Sequence, residues 1–308
     1  MRGTSEAAVG QFLQFESQPG WDHVGRADES PTPAQPIDQS PYHRFREHVL
    51  DRPGAAKTRW IRHLEPGESI PEDGWIHEHG RRQAKVVASL IRSEAAQGRV
   101  FSAQERADLL TTALYHDVPE LLTENGDVHW SIRSDADEAT EQQAYLRLIE
   151  TTVPPELRAR FLRALYLSHD PEGKQTELGQ FFAMSERVGY LQTAFDTFTA
   201  QPIERWEGLT WETCTNIFPL IVDDANRYPS AREFLTRHRA TVTEVLRLLQ
   251  SEAAFRQYAP KNGTRHAWES WEAYRNQFDA IAHQLGEITE PREIYFPLDD
   301  LTSEELAA

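Results

Sequence analysis

From about residue 41 onward, apolar positions recur at helical spacing, and no stretch alternates with the period of a strand. Residues 81–96 place Ala84, Val87, Leu90 and Ile91 on one face. Ser102-Ala103-Gln104-Glu105 has the form of a capping box, followed by a buried stripe of Leu109, Leu110, Ala113 and Leu114 that runs the helix into His116. Ser134 to Asp137 opens another helix, carrying Ala144, Leu146, Leu148 and Ile149. Pro154-Pro155 ends it and starts the next, with Leu157, Phe161, Leu162 and Leu165. A long helix begins near Thr176 and carries Leu178, Phe181, Phe182, Val188 and Leu191.

Residues 201–228 read as mixed and aromatic, with Trp206 and Trp211. Ser230-Ala231-Arg232-Glu233 reads as a further capping box, opening a helix with Leu235, Val242, Val245, Leu246 and Leu249. Lys261-Asn262-Gly263 breaks the chain before a last helix from Trp268 to Leu285, and the tail from Gly286 reads as extended. Residues 1–40, interrupted by Pro19-Gly20, Pro31, Pro33 and Pro36, read as a loosely ordered N-terminal arm. The expected fold class is all-α.

Composition narrows the function classes. The chain has 308 residues, 39% of them hydrophobic and 26% charged, as suits a globular protein. No apolar run reaches the ~18 residues that a membrane helix needs. The N-terminus lacks the apolar core of a secretion signal, so a cytoplasmic location is expected. The single cysteine, Cys214, allows no internal disulfide and no thiolate cluster. A net charge of −17 repels nucleic acid and anionic membranes and leaves a small molecule as the expected partner. A phosphate ligand would then need local cations.

The residues that carry chemistry gather around His116-Asp117. His79 lies upstream in Ile76-His77-Glu78-His79-Gly80, and Glu120, Glu124 and Asp127 follow. Two imidazoles and a carboxylate suit a divalent ion such as Mn, Fe, Co or Zn. Neighbouring side chains on a regular helix diverge by ~100°. His116 and Asp117 therefore share an ion only where the helix is ending, and Pro119 favours such an end. Glu120 and Asp127 lie close enough in sequence to serve as general acid or base. His77 would face away from His79.

Three segments resemble the HD-domain phosphohydrolase superfamily, and most closely its nucleoside 5′-monophosphatase branch. They are Glu78-His79-Gly80, the run His116-Asp117-Val118-Pro119-Glu120-Leu121-Leu122-Thr123 with Gly126-Asp127, and Arg59-Trp60. The middle run is similar to the signature His-Asp-x-x-Glu-x-x-Thr-Gly-Asp, with Glu124-Asn125 inserted. The resemblance spans about residues 55–200. It implies an HD-domain helical bundle over 41–200, with 201–308 as a helical extension packed on it. It also implies one divalent metal ion (Mn, Co, Fe, Zn or Mg) held by His79, His116 and Asp117. Glu120 and Asp127 would manage water and protons, Arg59 would meet the phosphate, and Trp60 would shape the sugar or base pocket. The implied activity is hydrolysis of a small phosphate monoester, a nucleoside 5′-monophosphate first of all. Homo-oligomers are compatible with it, since related nucleotidases are often dimers.

One position departs from the pattern. Where the superfamily supplies a final aspartate ligand, alignment by Glu177 and Tyr190-Leu191 puts Ser185, with Glu186 next to it. Glu186 could replace the aspartate, a water on Ser185 could fill the position, or metal binding has weakened. The last outcome points to a non-catalytic nucleotide-binding or scaffold protein. A further alternative is a di-iron oxygenase that recruits His129 or His169.

Overall fold

A computed structural model describes residues 57–71, 74–123, 127–128, 133–200, 205–260, 268 and 270–290, and the structural statements below concern these residues. The arm assigned to 1–40, the break at Lys261-Asn262-Gly263 and His129 lie outside them. The chain is all-α, with no strand among the described residues.

A short α1 (Thr58–Ile61) precedes α2 (Ile76–Ala96) and α3 (Ala103–Tyr115). A 3-10 turn, Val118–Leu121, leads to α4 (Asp135–Thr151), α5 (Arg158–Ser168) and the short α6 (Pro171–Gln175). Then come α7 (Glu177–Thr199), α8 (Glu207–Arg227), α9 (Pro229–Arg237), α10 (Arg239–Leu249), α11 (Glu252–Tyr258) and α12 (Trp271–Ile288).

Caps explain several of these boundaries. Ser102 accepts from the Glu105 amide and Glu105 accepts from that of Ser102, a reciprocal box that starts α3. Ser134 and Asp137 do the same for α4. Thr176 caps α7 through the Gly179 amide at 3.1 Å.

Several expectations are corrected. Helix α2 starts at Ile76, ahead of the apolar face read over 81–96, because the polar run His77-Glu78-His79 carries no apolar period. Residues 207–227 form one helix, α8, despite Pro219 inside it. Its apolar residues are buried on several sides, which blurs the single-stripe pattern. Ser230 makes no capping box: Pro229 occupies the first turn, the Ser230 amide donates to Glu94 Oε1 at 2.9 Å, and Ser93 Oγ donates to Glu233. The helix expected to run on through Val242 is broken at His238, whose Nδ1 bonds the Phe234 carbonyl. Ser270 caps the last helix through the Ala273 amide, so α12 starts at Trp271 and continues past Gly286 to Ile288. Leu146 and Leu162 are exposed at 38% and 46%; Tyr145 takes the buried place in α4.

Helices α7 and α8 form the spine. Helix α7 packs on α2, α3, α5 and α6, while α8 carries α9, α10, α11 and α12. One hydrophobic cluster runs from Val87 through Phe181, Leu191, Trp211 and Phe218 to Ile288, across residue 200. A smaller cluster of Tyr115, Val118, Tyr145, Leu148, Phe161 and Leu165 lies behind the end of α3 and fixes the 3-10 turn. Each fully buried large side chain contributes about 1.5–3 kcal/mol. No helix among the described residues is long and apolar enough to cross a membrane.

Candidate metal centre

Two helix ends meet at the site. His79 sits in the first turn of α2, its amide bonded to the Trp75 carbonyl at 2.9 Å. His116 is the C-cap of α3, and Asp117 follows it into the 3-10 turn. His116 keeps a helical backbone (φ −59°, ψ −36°), Asp117 loosens to φ −90°, ψ −4°, and the two side chains still meet, His116 Nε2 lying 3.2 Å from Asp117 Oδ1. Gly80 permits the approach: a Cβ there would lie 2.5 Å from the Leu114 carbonyl oxygen of α3.

The ligand atoms of His79, His116 and Asp117 lie within 4.8 Å of one another, and all three residues are buried. The His116 Nδ1 lies 3.0 Å from the Ala113 carbonyl. A carbonyl only accepts, so Nδ1 carries the proton and Nε2 presents its lone pair in the neutral ring. That Nε2 lies 3.2 Å from Asp117 Oδ1 and 3.3 Å from Glu186 Oε1. It makes no hydrogen bond. A buried lone pair facing carboxylate oxygens is unfavourable alone and favourable around a cation. The C-terminal end of α3 adds a partial negative charge at the same place. Two imidazoles and a carboxylate therefore fit a divalent transition metal.

A residue the sequence reading overlooked lies against this cluster. Lys57 is 4% exposed. Its Nζ is 2.7 Å from both Asp117 Oδ2 and Glu120 Oε2, and 3.8 Å from Asp127 Oδ1. Its amide donates to the Gly74 carbonyl at 2.8 Å, which pins the start of α1. Lysine is no metal ligand as an ammonium, so a search for ligands passes over it. The only signal was its place two residues before Arg59. Tyr190, whose ring is parallel to His79 at 5.9 Å, was missed as well.

Environment drives the two central acids apart. Burial alone would raise Asp117, but positive charge beside it, from the His116 ring when protonated, from Lys57 and from the His79 ring when protonated, holds it well below the usual carboxylate range. Burial raises Glu120 well above that range, and repulsion from Asp117 adds to it, against the pull of Lys57. One carboxylate is kept ionised and its neighbour is favoured as a protonated acid. Burial also raises Glu186.

The departure at Ser185 has a plain geometry. Its hydroxyl donates to the Phe182 carbonyl at 2.6 Å and lies 3.3 Å from Gln83 Nε2, which donates to it. Ser185 therefore serves the α2–α7 contact, while Glu186 lies beside His116.

Comparisons with protein-family models, curated proteins and solved structures find no match.

A cavity of about 330 Å³ opens on the cluster. Its near wall holds Lys57, His116, Asp117, Glu120, Asp127 and Glu186. Arg133, Lys174 and Arg187 bring further positive charge, and Glu212, Thr213, Asn216, Ile217 and Leu220 of α8 form the far wall. Arg187 is held by Asp224 through two bonds of 2.6 and 2.9 Å. Glu212 bonds His63 at 2.9 Å and so ties α8 to the segment after α1.

The other expected site residues fall elsewhere. Trp60 is 2% exposed and meets Trp206 edge-on at 5.3 Å; it is not part of the cavity wall. The Arg59 side chain lies outside what is described. His169 Nε2 bonds the His116 carbonyl at 2.9 Å, which commits that nitrogen to holding the end of α3. Burial lowers its pKa to about 4. His77 sits near Glu78, partly exposed.

Proposed function

We propose that this chain is a metal-dependent phosphohydrolase of the HD type acting on a small phosphate monoester, with nucleoside 5′-monophosphates as the first class to test. The observation that carries the reading is the unpartnered His116 Nε2 facing Asp117 and Glu186 beside His79. A divalent ion bound there supplies Lewis-acid polarisation of a phosphoryl oxygen and eases deprotonation of a water. The rest of the chemistry belongs to side chains. Asp117, held ionised, keeps its charge for the ion. Glu120, with its raised pKa, holds a proton for the leaving oxygen. Asp127, on the same wall, takes the proton of the attacking water. Arg133 and Lys174 offset the charge of the phosphoryl group. The cavity volume falls at the lower end of the ~300–1,000 Å³ usual for small ligands. Arg59 as a phosphate contact rests on resemblance alone, and Trp60 acts as a support behind the site.

One observation favours a second reading, a non-catalytic nucleotide-binding protein. The Lys57 ammonium already lies 2.7 Å from both Asp117 Oδ2 and Glu120 Oε2, and the Ser185 hydroxyl is committed to the Phe182 carbonyl. Metal content separates the two readings. Protein purified with Mn²⁺ present should carry the ion in stoichiometric amount and, with Mn²⁺ or Co²⁺, release phosphate from a nucleotide panel. Glu120→Gln should keep the metal and lose roughly 10²–10⁴-fold in rate. Metal binding without phosphate release from any nucleotide would remove the hydrolase reading. Absence of metal would favour the binding protein.

A further inference from the structure

The centre contains its own competing cation. Asp117 Oδ2 faces the Lys57 ammonium at 2.7 Å and the His79 Nε2 at 3.4 Å. The oxygen that an ion beside His79 would use is thus the oxygen that Lys57 holds. A doubly charged ion and an ammonium in such close quarters repel each other strongly. The backbone of Lys57 is fixed by Gly74, so the segment stays, while the four-carbon stem, buried but bordering the cavity, has the rotatable bonds to swing its ammonium toward that space. Lys57 lines the cavity, so a displaced ammonium meets whatever the cavity holds. The near wall is otherwise acidic: Asp117, Glu120, Asp127 and Glu186 surround it.

We propose that Lys57 is the internal counter-cation of this centre, that it gives up Asp117 when a divalent ion binds, and that it then pairs with the substrate phosphoryl group. The proposal rests on the metal-dependent reading above and adds a substrate-positioning residue to it. It makes metal and anion binding cooperative. The ion frees the ammonium for the anion, and by reciprocity the anion eases entry of the ion. A purely structural lysine predicts the opposite sign, since removing it would loosen the ligands and weaken metal binding.

The test is calorimetric titration of the full chain with Mn²⁺ in phosphate-free buffer, repeated with inorganic phosphate present. Lys57→Met should bind Mn²⁺ about tenfold more tightly than the unaltered chain, within the range usual for such couplings. Phosphate should tighten Mn²⁺ on the unaltered chain by several-fold more than on Lys57→Met. Lys57→Arg keeps the charge and should stay near the unaltered affinity. Equal or weaker Mn²⁺ binding by Lys57→Met overturns this inference and leaves the metal reading intact. No Mn²⁺ binding by any form overturns both. If Lys57→Met does not fold without metal, it should fold with Mn²⁺ present, since the ion replaces the lost charge. Failure of both Lys57→Met and Lys57→Gln to fold in Mn²⁺ also overturns the inference.

Discussion

The two ring nitrogens of His116 differ in chemistry, and the backbone decides which is which. The Ala113 carbonyl accepts a hydrogen bond from Nδ1–H, and His169 holds the carbonyl of His116 itself. The imidazole is thereby aimed before any ligand arrives. The same scale separates Ser185 from its neighbour. Ser185→Ala should leave Mn²⁺ affinity unchanged and cost about 1 kcal/mol in denaturant melts, the value of a lost hydrogen bond. Glu186→Gln should lower Mn²⁺ affinity with little change in the melt. The reverse pattern would show that Ser185 completes the centre. His79, His116 and Asp117 were singled out in sequence by a dipeptide at a helix end and an upstream histidine together with the resemblance of the surrounding segments, not by spacing alone. Lys57 was not, because one lysine in a polar stretch looks the same whether solvated or buried.

At the scale of elements, the site depends on how closely α2 and α3 cross. Gly80 is the contact point, with the Leu114 carbonyl where a side chain would be. Gly80→Ala should force the helices apart, destabilise the fold by roughly 1–3 kcal/mol and reduce metal content, read by urea melts and elemental analysis. An unchanged metal content would mean that the crossing does not set the ligand spacing. The capped helices α3, α4 and α7 were legible because Ser102, Ser134 and Thr176 announce them. Helix α8 was not, because Pro219 and a many-sided burial hide its period. Ser230 misled for a tertiary reason: its amide and the Glu233 carboxylate bond to Glu94 and Ser93 of α2 rather than to each other.

At the scale of the molecule, a single hydrophobic cluster joins residues before and after 200. Trp211→Ala, at a fully buried position in the later part, should cost about 3–5 kcal/mol. Helix content and tryptophan fluorescence should then fall together, in one transition shifted to lower urea. Two separated transitions would mean that the two parts unfold independently. The all-α class was legible from periodicity, and packing of the later helices on the earlier ones was expected from the resemblance and from aromatic richness; which side chains meet was not legible, because packing between helices far apart in sequence leaves no local trace.

The cavity has two shores of different origin. His116, Asp117, Glu120, Asp127 and Glu186 come from the end of α3, the segment after it and α7, whereas Thr213, Asn216, Ile217 and Leu220 project from α8. On the proposed reading, reactivity and choice of ligand are therefore written in separate stretches of the gene. Diversifying those four α8 positions would explore new specificities while the ion-handling groups stay untouched, which makes α8 the place to begin re-engineering this protein.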